Sequence, residues 1–328
     1  MAMTLLYDKD ADLNYLNGKI VAVIGYGAQG RAQALCMRDS GVKVVIGVRQ
    51  GPSFTKAKED GFEVLSVADA AKKADIVHIL LPDEIQGGVY ENEIKANMTK
   101  GKTLSFSHGF NIVYKAIIPS NDIDVIMVAP KAPGTEERKV FEAGFGVPGL
   151  LAVKQNISGN AKNIALAMCK SMGFTRAGVL ECTFEQEAYE DLFGEQVVLC
   201  GGLVQLIKYG FETLVEAGYP PEMAYFECLH ETKLIVDLIY EGGIQRMNEV
   251  ISNTAEWGEY VTGPRIITEN TKKVMKDVLK DVESGKFAKE WLDEAKNGSK
   301  NLLKFREELG KHPIEIVGKE IRKMFKGK

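Results

Sequence analysis

The chain has 328 residues, of which 45% are hydrophobic and 26% are charged, and its formal net charge is −4. This composition is typical of a soluble globular protein long enough for about two domains, and it excludes disordered and fibrous classes. The mild negative charge gives no general electrostatic reason to bind nucleic acid.

The cysteines and the N-terminus bear on the cellular compartment. Five scattered cysteines form no C-x-x-C pair, which predicts neither a disulfide framework nor a zinc site and indicates reduced thiols. The N-terminal sequence MAMTLLYDKDADL lacks the basic and apolar regions of a secretory signal. The longest apolar run, near Ile76–Leu81, is far shorter than the ~20 residues of a membrane span. We therefore expect a cytoplasmic protein with no membrane partner.

Short apolar runs alternate with helical stretches through the first half of the chain. The run KIVAVIG (19–25) precedes a glycine turn and a helix over 28–40. Further strands are predicted at 42–48, 76–81, 103–106, 125–128, 148–153 and 178–180. Such alternation is typical of a doubly wound parallel sheet, so residues 1–182 are predicted to form a Rossmann-type α/β domain.

Helical spacing dominates after residue 182, and residues 183–328 are predicted to form an all-α domain. Glycine and proline residues mark several of the expected helix borders. The predicted helices are 184–217, 221–241, 243–256, 264–283, 286–309 and 313–326.

The glycine turn carries the first functional signal. Its sequence GYGAQG fits the G-x-G-x-x-G dinucleotide fingerprint, and it follows a predicted strand and opens a predicted helix. The glycines allow a tight turn, close approach of a pyrophosphate, and close packing of a helix whose N-terminus favours phosphate. We therefore expect a dinucleotide here, rather than a turn without a ligand, bound by Gly25, Tyr26, Gly27, Ala28 and Gln29.

The end of the second strand bears on the choice between NAD and NADP. An NAD-binding fold usually has Asp or Glu there to bind the ribose 2′-hydroxyl, whereas this chain reads VRQGPSF (48–54). Arg49 and Ser53 could hold a 2′-phosphate, which favours NADP. The alternatives are that Arg49 stacks on an adenine or lies on the surface.

Three later strands are followed by polar loops at the edge of the sheet where ligands bind. These loops read PDEIQ (82–86), SHGFN (107–111) and PKAPG (130–134). In the first loop we expect Asp83, Glu84, Ile85 and Gln86 to flank the cofactor, unless Asp83 only caps the next helix. The other two loops bring His108 and Lys131 near the same crevice, although a structural role is a fair alternative for each.

Two pairs of acids interrupt apolar stripes in the predicted helices. Asp191 and Glu195 lie four residues apart, as do Glu227 and Glu231. The stripes contain Phe184, Ala188, Val198 and Gly202 in the first helix and Ala224, Leu234 and Leu238 in the second.

A buried pair of unpaired carboxylates needs a counter-charge. Residues 177–207 contain no lysine or arginine that could supply it. Oxygen ligands without Cys or His favour Mg²⁺ or Mn²⁺, so we expect the four acids to hold two divalent ions. The alternative is that both pairs face water on an acidic rim. Glu187, one turn before Asp191, is interpreted as a spare surface acid.

Together these motifs resemble the ketol-acid reductoisomerase (acetohydroxyacid isomeroreductase) family, in its short class I form. The segments GYGAQG, DEIQ, SHGFNI, APKAPG, DLFGEQ, ECLHE and ISNTAE cover essentially the whole chain in the family's order. The resemblance implies conversion of 2-acetolactate or 2-aceto-2-hydroxybutyrate to the 2,3-dihydroxy acid. An alkyl migration followed by NAD(P)H reduction would accomplish this, in valine and isoleucine biosynthesis.

The resemblance also implies roles for individual residues. Asp191 and Glu195 would be metal ligands from one subunit, with Glu227 and Glu231 from a neighbour whose helical domain intertwines with the first, so a homodimer or larger oligomer is expected. The remaining implied roles are an active-site residue at His108, a supporting residue at Lys131, a cofactor contact at Gly134 and a substrate contact at Ser252. Glu231 could also shuttle a proton during the reaction.

One loop departs from the family pattern R-x-G-S-x-S-W of NADP-type members. Residues 49–54 are one residue shorter and keep one serine, so we expect both NADH and NADPH to be used. Two other functions remain as alternatives, a metal-free β-hydroxyacid-type dehydrogenase and a non-catalytic dinucleotide sensor. Neither of them explains two inward pairs of carboxylates.

Overall fold

A mixed sheet forms the centre of the N-terminal part of the computed structural model, which describes residues 5–325. The strands are β1 (Leu5–Leu6), β2 (Ile20–Ile24), β3 (Lys43–Gly47), β4 (Glu63–Leu65), β5 (Ile76–Ile79), β6 (Thr103–Phe106), β7 (Asp124–Pro130), β8 (Gly149–Gln155) and β9 (Val179–Glu181). Their order is β1-β9-β8-β7-β6-β5-β2-β3-β4. The strands β4-β3-β2-β5-β6-β7 are parallel and follow the doubly wound Rossmann order. The predicted Rossmann-type fold is therefore confirmed.

The edges of the sheet differ from the prediction. β7 pairs antiparallel with β8, and β1 pairs antiparallel with β9, so the sheet is mixed on this side. β1 and β4 are edge strands that the apolar pattern of the sequence does not predict. Both are too short to show a clear pattern, and short edge strands are common because they discourage edge-to-edge pairing.

Helices cover both faces of the sheet, as continuous apolar parallel strands require. One face packs on Met37 of the first helix and Met168 of a later one, and the other packs on Val67 and Tyr90. The helices are α1 (Ala28–Asp39), α2 (Pro52–Glu59), α3 (Val67–Lys73), α4 (Asp83–Val89), α5 (Phe110–Val113), α6 (Gly134–Glu142), α7 (Ala161–Ser171), α8 (Phe174–Ala177) and α9 (Phe184–Gly194).

The C-terminal part is helical, and the chain divides into two compact units between Glu190 and Asp191, inside α9. Its helices are α10 (Gly201–Glu216), α11 (Pro221–Tyr225), α12 (Thr232–Val250), α13 (Asn253–Ile266), α14 (Glu269–Glu283), α15 (Lys286–Lys296), α16 (Lys300–Gly310) and α17 (Pro313–Phe325). Residue 326 of the last predicted helix, and the outermost residues of the predicted domains 1–182 and 183–328, lie outside the described residues.

Several predicted helix borders were wrong. The glycines at 242–243 produce a kink within α12, where Gly243 has φ 82°, rather than an end. Pro264 lies in the last turn of α13 instead of opening the next helix, and the predicted helix 286–309 is two helices separated at Asn297–Ser299. Glycine and proline residues therefore marked irregular points in the helices correctly, but they did not show whether a helix bends or ends there.

Wide helical turns adjoin both pairs of acids. π-helical turns at Glu195–Leu199 and Phe226–His230 connect α9 to α10 and α11 to α12. Each such turn inserts an extra residue, which rotates all later side chains by about 100° around the axis. The predicted stripe therefore does not continue past Glu195: Phe184 and Ala188 are buried, whereas Val198 and Gly202 are exposed.

The helical unit leaves much apolar surface uncovered. Its core is small, with Phe211, Tyr225 and Ile321 at its centre, while Leu199, Trp257 and other large side chains are exposed. Among the described residues one helical element, Phe184–Glu216, is long and apolar enough to cross a membrane by length and composition alone. Apolar surface of this extent indicates an interaction surface.

Candidate active site

The glycine turn has the geometry that a dinucleotide requires. Gly25 has φ +102°, and a Cβ there would lie 2.6 Å from the carbonyl oxygen of Leu80, so only glycine fits. Around Gly27 the space is open, with nothing within 4 Å of an added Cβ. The turn delivers the chain into the N-terminus of α1, whose unpaired N–H groups favour phosphate.

A cavity of about 410 Å³ opens beside this turn. It is lined by six of the residues predicted to bind the cofactor: Gly25, Tyr26, Gly27, Arg49, Ser53 and Ile85. Apolar groups such as Val48, Leu81 and Val89 form its other walls. An apolar cleft with a single charged side chain at its edge suits an adenosine group.

Tyr26 is fixed by an ion-paired carboxylate. Its hydroxyl donates to Asp60 at 2.9 Å, and Arg31 donates two hydrogen bonds to the same carboxylate at 2.6 and 3.1 Å. The hydrogen bond from Arg31 holds the pKa of Asp60 at about 2, well below its usual value. Asp60 therefore ties the glycine turn to α1.

Gly134 lies against the same turn. A Cβ on Gly134 would lie 2.5 Å from the carbonyl oxygen of Ala28, so the N-termini of α6 and α1 approach closely. Gln29 reinforces this contact by donating to the carbonyl of Ala132 at 2.9 Å. The structure thus places Ala28, Gln29 and Gly134 next to one another beside the glycine turn.

The loop after β5 is held by its own polar groups. Gln86 is buried and donates to Asp83 at 3.1 Å and to the carbonyl of Leu81 at 2.7 Å, and Asn111 donates to the Asp83 carbonyl at 3.1 Å. Asp83 and Glu84 lie in the first turn of α4, whose N-cap is Pro82, so Asp83 does not serve as the cap. These contacts set the position of Ile85 in the cavity wall.

Glu187 forms the centre of a polar cluster that contains both predicted catalytic residues of the N-terminal unit. Its Oε2 accepts from Nδ1 of His108 at 3.0 Å and from the Gly109 N–H at 2.8 Å. Its Oε1 accepts from Nζ of Lys131 at 3.3 Å. The interpretation of Glu187 as a spare surface acid was wrong, because its side chain is 1% exposed.

The electrostatics of this cluster keep Glu187 ionised. Burial alone would raise its pKa, but the hydrogen bond and charge of His108, the charge of Lys131 and the Gly109 N–H outweigh burial and lower the pKa. A carboxylate held in this way fixes His108 with its Nδ1 proton directed at Glu187. The arrangement can orient an imidazole and an ammonium for proton transfer and charge stabilisation.

A second buried network lies beneath the glycine turn. His78 is fully buried between Ser105 Oγ at 2.8 Å and Gln33 Oε1 at 2.7 Å, and burial lowers its pKa to about 3. Gln33 also donates to Ser107 at 3.1 Å, the residue next to His108. His78 is therefore neutral, and it links α1 to β5 and β6 rather than acting on a ligand.

The predicted metal ligands lie on both sides of the wide turns. Asp191 is one helical turn beyond Glu187 in α9, and Glu195 begins the wide turn that follows; both are partly buried. Glu227 lies within the second wide turn and Glu231 directly after it, and both are exposed. In the described part of this single chain, the four carboxylates do not form one group of closely spaced ligand atoms.

Ser252, the predicted substrate contact, lies at the start of α13. Its Oγ accepts from the Ala255 N–H at 3.2 Å and thereby caps the helix. The residue is exposed, and its hydroxyl proton is not used by the cap. Its position is explained by capping alone, and a role toward substrate stays a prediction.

Comparisons with known proteins agree across both units. Residues 15–178 match the profile of the acetohydroxy acid isomeroreductase NADPH-binding domain, and residues 184–327 match that of the ketol-acid reductoisomerase C-terminal domain. The chain belongs to the ketol-acid reductoisomerase family. This membership confirms the resemblance and sets aside the dehydrogenase and sensor alternatives.

Relatives of this family include forms named for each nicotinamide cofactor. A ketol-acid reductoisomerase (NADP(+)) of Akkermansia muciniphila is 68% identical over 323 residues, covering 98% of this chain and 99% of the relative. A ketol-acid reductoisomerase (NAD(+)) of an uncultured archaeon is 63% identical over 329 residues, with coverage of 98% and 99%. The solved structure of an NADH-preferring ketol-acid reductoisomerase from an uncultured archaeon has a TM-score of 0.96, with 63% identity and the same coverage. The prediction of an oxidoreductase that uses NAD(P) is confirmed.

Proposed function

We propose that the chain converts 2-acetolactate or 2-aceto-2-hydroxybutyrate to the 2,3-dihydroxy acid, using NAD(P)H and two Mg²⁺ ions. It would act in the cytoplasm, in valine and isoleucine biosynthesis. The observation that carries this proposal is the buried Glu187 carboxylate, which joins His108 and Lys131 in a chain of this family. This carboxylate brings together a titratable imidazole and an ammonium from two separate loops that follow strands of the sheet.

The chemistry explains why these residue types are needed. A 1,2-alkyl shift requires a deprotonated tertiary hydroxyl and a polarised neighbouring carbonyl. Divalent ions bound by the four acids would supply that polarisation. The donor set fits Mg²⁺, because all four groups are carboxylates with no sulfur or nitrogen ligand among them.

His108, Lys131 and Glu187 would act on protons and charge. Glu187 holds His108 through Nδ1 at 3.0 Å, so the imidazole keeps one tautomer and one orientation. Lys131 places a positive charge next to the same carboxylate and would stabilise negative charge that develops on the substrate. Glu231 would accept or return a proton at its carboxylate.

We further propose that the active unit is a homodimer or larger oligomer with intertwined helical domains. The exposed apolar surface of the helical unit supports this, as does the exposure of Glu227 and Glu231 in the single chain. These two acids would complete the metal site of a partner chain, and Ser252 would contact the substrate there.

Turnover with and without metal tests the function. The full-length chain is incubated with 2-acetolactate and NADPH or NADH, with Mg²⁺ or with a chelator. We expect cofactor oxidation that depends on Mg²⁺. A rate that is indifferent to the chelator would contradict the proposal and favour metal-free reduction, and absence of any oxidation would leave only a binding function.

The shortened loop at residues 49–54 leads to a further expectation. With one serine, Ser53, fewer donors remain for a 2′-phosphate than in a loop with two serines. We expect a modest preference between the two cofactors. The ratio of kcat/KM for NADPH and NADH measures it, and a very large bias toward NADPH would refute this expectation.

A further inference from the structure

An ion pair between Arg49 and Glu93 lies at one edge of the nucleotide cavity. Arg49 is the charged residue among the described residues that line it, and its side chain is 75% exposed. Its Nη2 lies 3.2 Å from Oε1 of Glu93. Glu93 lies in the helical segment Tyr90–Ile94, four residues after Val89, which also lines the cavity.

The position of Arg49 makes this pair relevant to the cofactor. In a Rossmann fold the residue at the end of the second parallel strand faces the 2′ position of the adenosine ribose. Here β3 ends at Gly47, two residues before Arg49. A guanidinium there attracts a 2′-phosphate, whereas a carboxylate repels it and can accept from a free 2′-hydroxyl.

We propose that Glu93 is a specificity residue of the nucleotide cavity, whose carboxylate engages Arg49 and disfavours nucleotides with a 2′-phosphate relative to those with a free 2′-hydroxyl. In folds with a conventional NAD site the acid stands at the strand end itself. In this chain the acid comes instead from the helical segment Tyr90–Ile94. Its Oε1 lies 3.2 Å from Arg49 Nη2, which places it at the same edge of the cavity.

This inference rests on the proposed function of the cavity as the cofactor site, and binding measurements separate the two. The probes are 2′,5′-ADP, which carries the 2′-phosphate, and 5′-AMP, which lacks it; both are titrated calorimetrically into the full-length chain. We expect Glu93→Gln to tighten binding of 2′,5′-ADP by about fivefold, because one negative charge near the phosphate is removed. Binding of 5′-AMP should change by less than about twofold.

Glu91→Gln is the matched control. Glu91 lies in the same segment, is exposed, and pairs with Lys95 at 2.8 Å rather than with Arg49. The Glu91→Gln variant should leave the Kd of both nucleotides unchanged. The gain in Glu93→Gln should be smaller when Arg49→Gln is present, because the part of it that comes from freeing Arg49 is then lost. It should also shrink at about 1 M salt, where the Debye length is about 3 Å.

Three outcomes of these titrations would overturn the inference. An unchanged ratio of the two Kd values in Glu93→Gln would overturn the inference and leave nucleotide binding intact. Equal tightening of both nucleotides would also overturn it, since a general loosening of the cavity would then be the cause. Failure of the unaltered chain to bind either nucleotide would overturn the cavity assignment itself, and with it the inference.

Discussion

The carboxylate of Glu187 lies 3.0 Å from Nδ1 of His108, although 79 residues separate them in the chain. Glu187 comes from the first turns of α9, and His108 from the loop after β6. The sheet therefore brings its own loop to a helix that continues into the acids of the helical unit. One buried carboxylate connects the two predicted catalytic groups of the N-terminal unit.

Replacing Glu187 by glutamine tests this connection. The neutral amide cannot balance both His108 and Lys131, so we expect kcat to fall by about 10²-fold or more. The Kd of the nicotinamide cofactor should change little, because Glu187 is not among the residues lining the nucleotide cavity. Steady-state kinetics and calorimetric titration measure the two effects.

Glu185→Gln serves as its control. Glu185 lies on the same helix and pairs with Lys154 at 2.5 Å on the surface. It should retain near-normal kcat. Comparable turnover in both variants would show that Glu187 has only a structural role.

The role of Glu187 illustrates what the sequence could not reveal. His108 and Lys131 were predicted because each follows a parallel strand, and ligands bind at that edge of the sheet. Glu187 follows no strand, and its helical spacing alone does not distinguish a surface position from a buried one. The sequence nevertheless contained a signal, because the apolar residues Phe184 and Ala188 lie on either side of Glu187. In the structure both of them are buried.

Asp191→Asn tests the proposed metal ligands. Loss of one ligand charge should abolish Mg²⁺-dependent turnover of 2-acetolactate, while the Kd of NADPH or NADH should stay unchanged. Glu190→Gln is the matched control, because Glu190 is the preceding residue and is exposed. Near-normal turnover in Asp191→Asn would show that the metal assignment is wrong.

The helical unit was predicted less well than the sheet, for a physical reason. Parallel strands such as β2 and β5 are buried on both faces, so their apolar runs identify them directly. In a helix, the face on which a side chain lies depends on every residue before it. One inserted residue at Glu195–Leu199 therefore shifts all later side chains to a different face. Apolar spacing also cannot separate a face that packs within the chain from one that packs on another subunit.

Asp60→Asn tests the support of the glycine turn. The carboxylate pairs with Arg31 and Tyr26, and its pKa of about 2 lies below the usual 3.8. A lowered pKa stabilises the fold above pH ~4, and this contribution is lost as the pH falls through 2. We expect Asp60→Asn to lower the free energy of unfolding by about 2 kcal/mol at neutral pH.

Urea unfolding at several pH values provides the measurement. The difference between Asp60→Asn and the unaltered chain should shrink between pH ~4 and pH ~2. Glu59→Gln, a neighbouring exposed residue, should show no such pH-dependent difference. A difference that stays constant over this range would mean that the charge of Asp60 contributes nothing to stability.

Glu137 gives the opposite pH dependence. It is 1% exposed in α6, neither of its carboxylate oxygens has a hydrogen-bond partner among the described residues, and burial raises its pKa to about 8. Below pH ~4.5 the group is protonated in both the folded and unfolded states and costs nothing. As the pH rises toward 8, the unfolded state releases the proton and the folded state keeps it, so the fold loses stability.

Glu137→Gln removes this pH dependence because the amide is neutral throughout. The variant should match the unaltered chain near pH 4.5 and exceed its free energy of unfolding by about 4 kcal/mol at pH 8. Glu136→Gln changes the adjacent exposed residue and should follow the unaltered chain at every pH. If Glu137→Gln were instead less stable than the unaltered chain at pH 8 but not at pH 4.5, the buried carboxylate would have to be ionised and favourably paired in the folded protein, because a cost of the buried amide itself would not depend on pH.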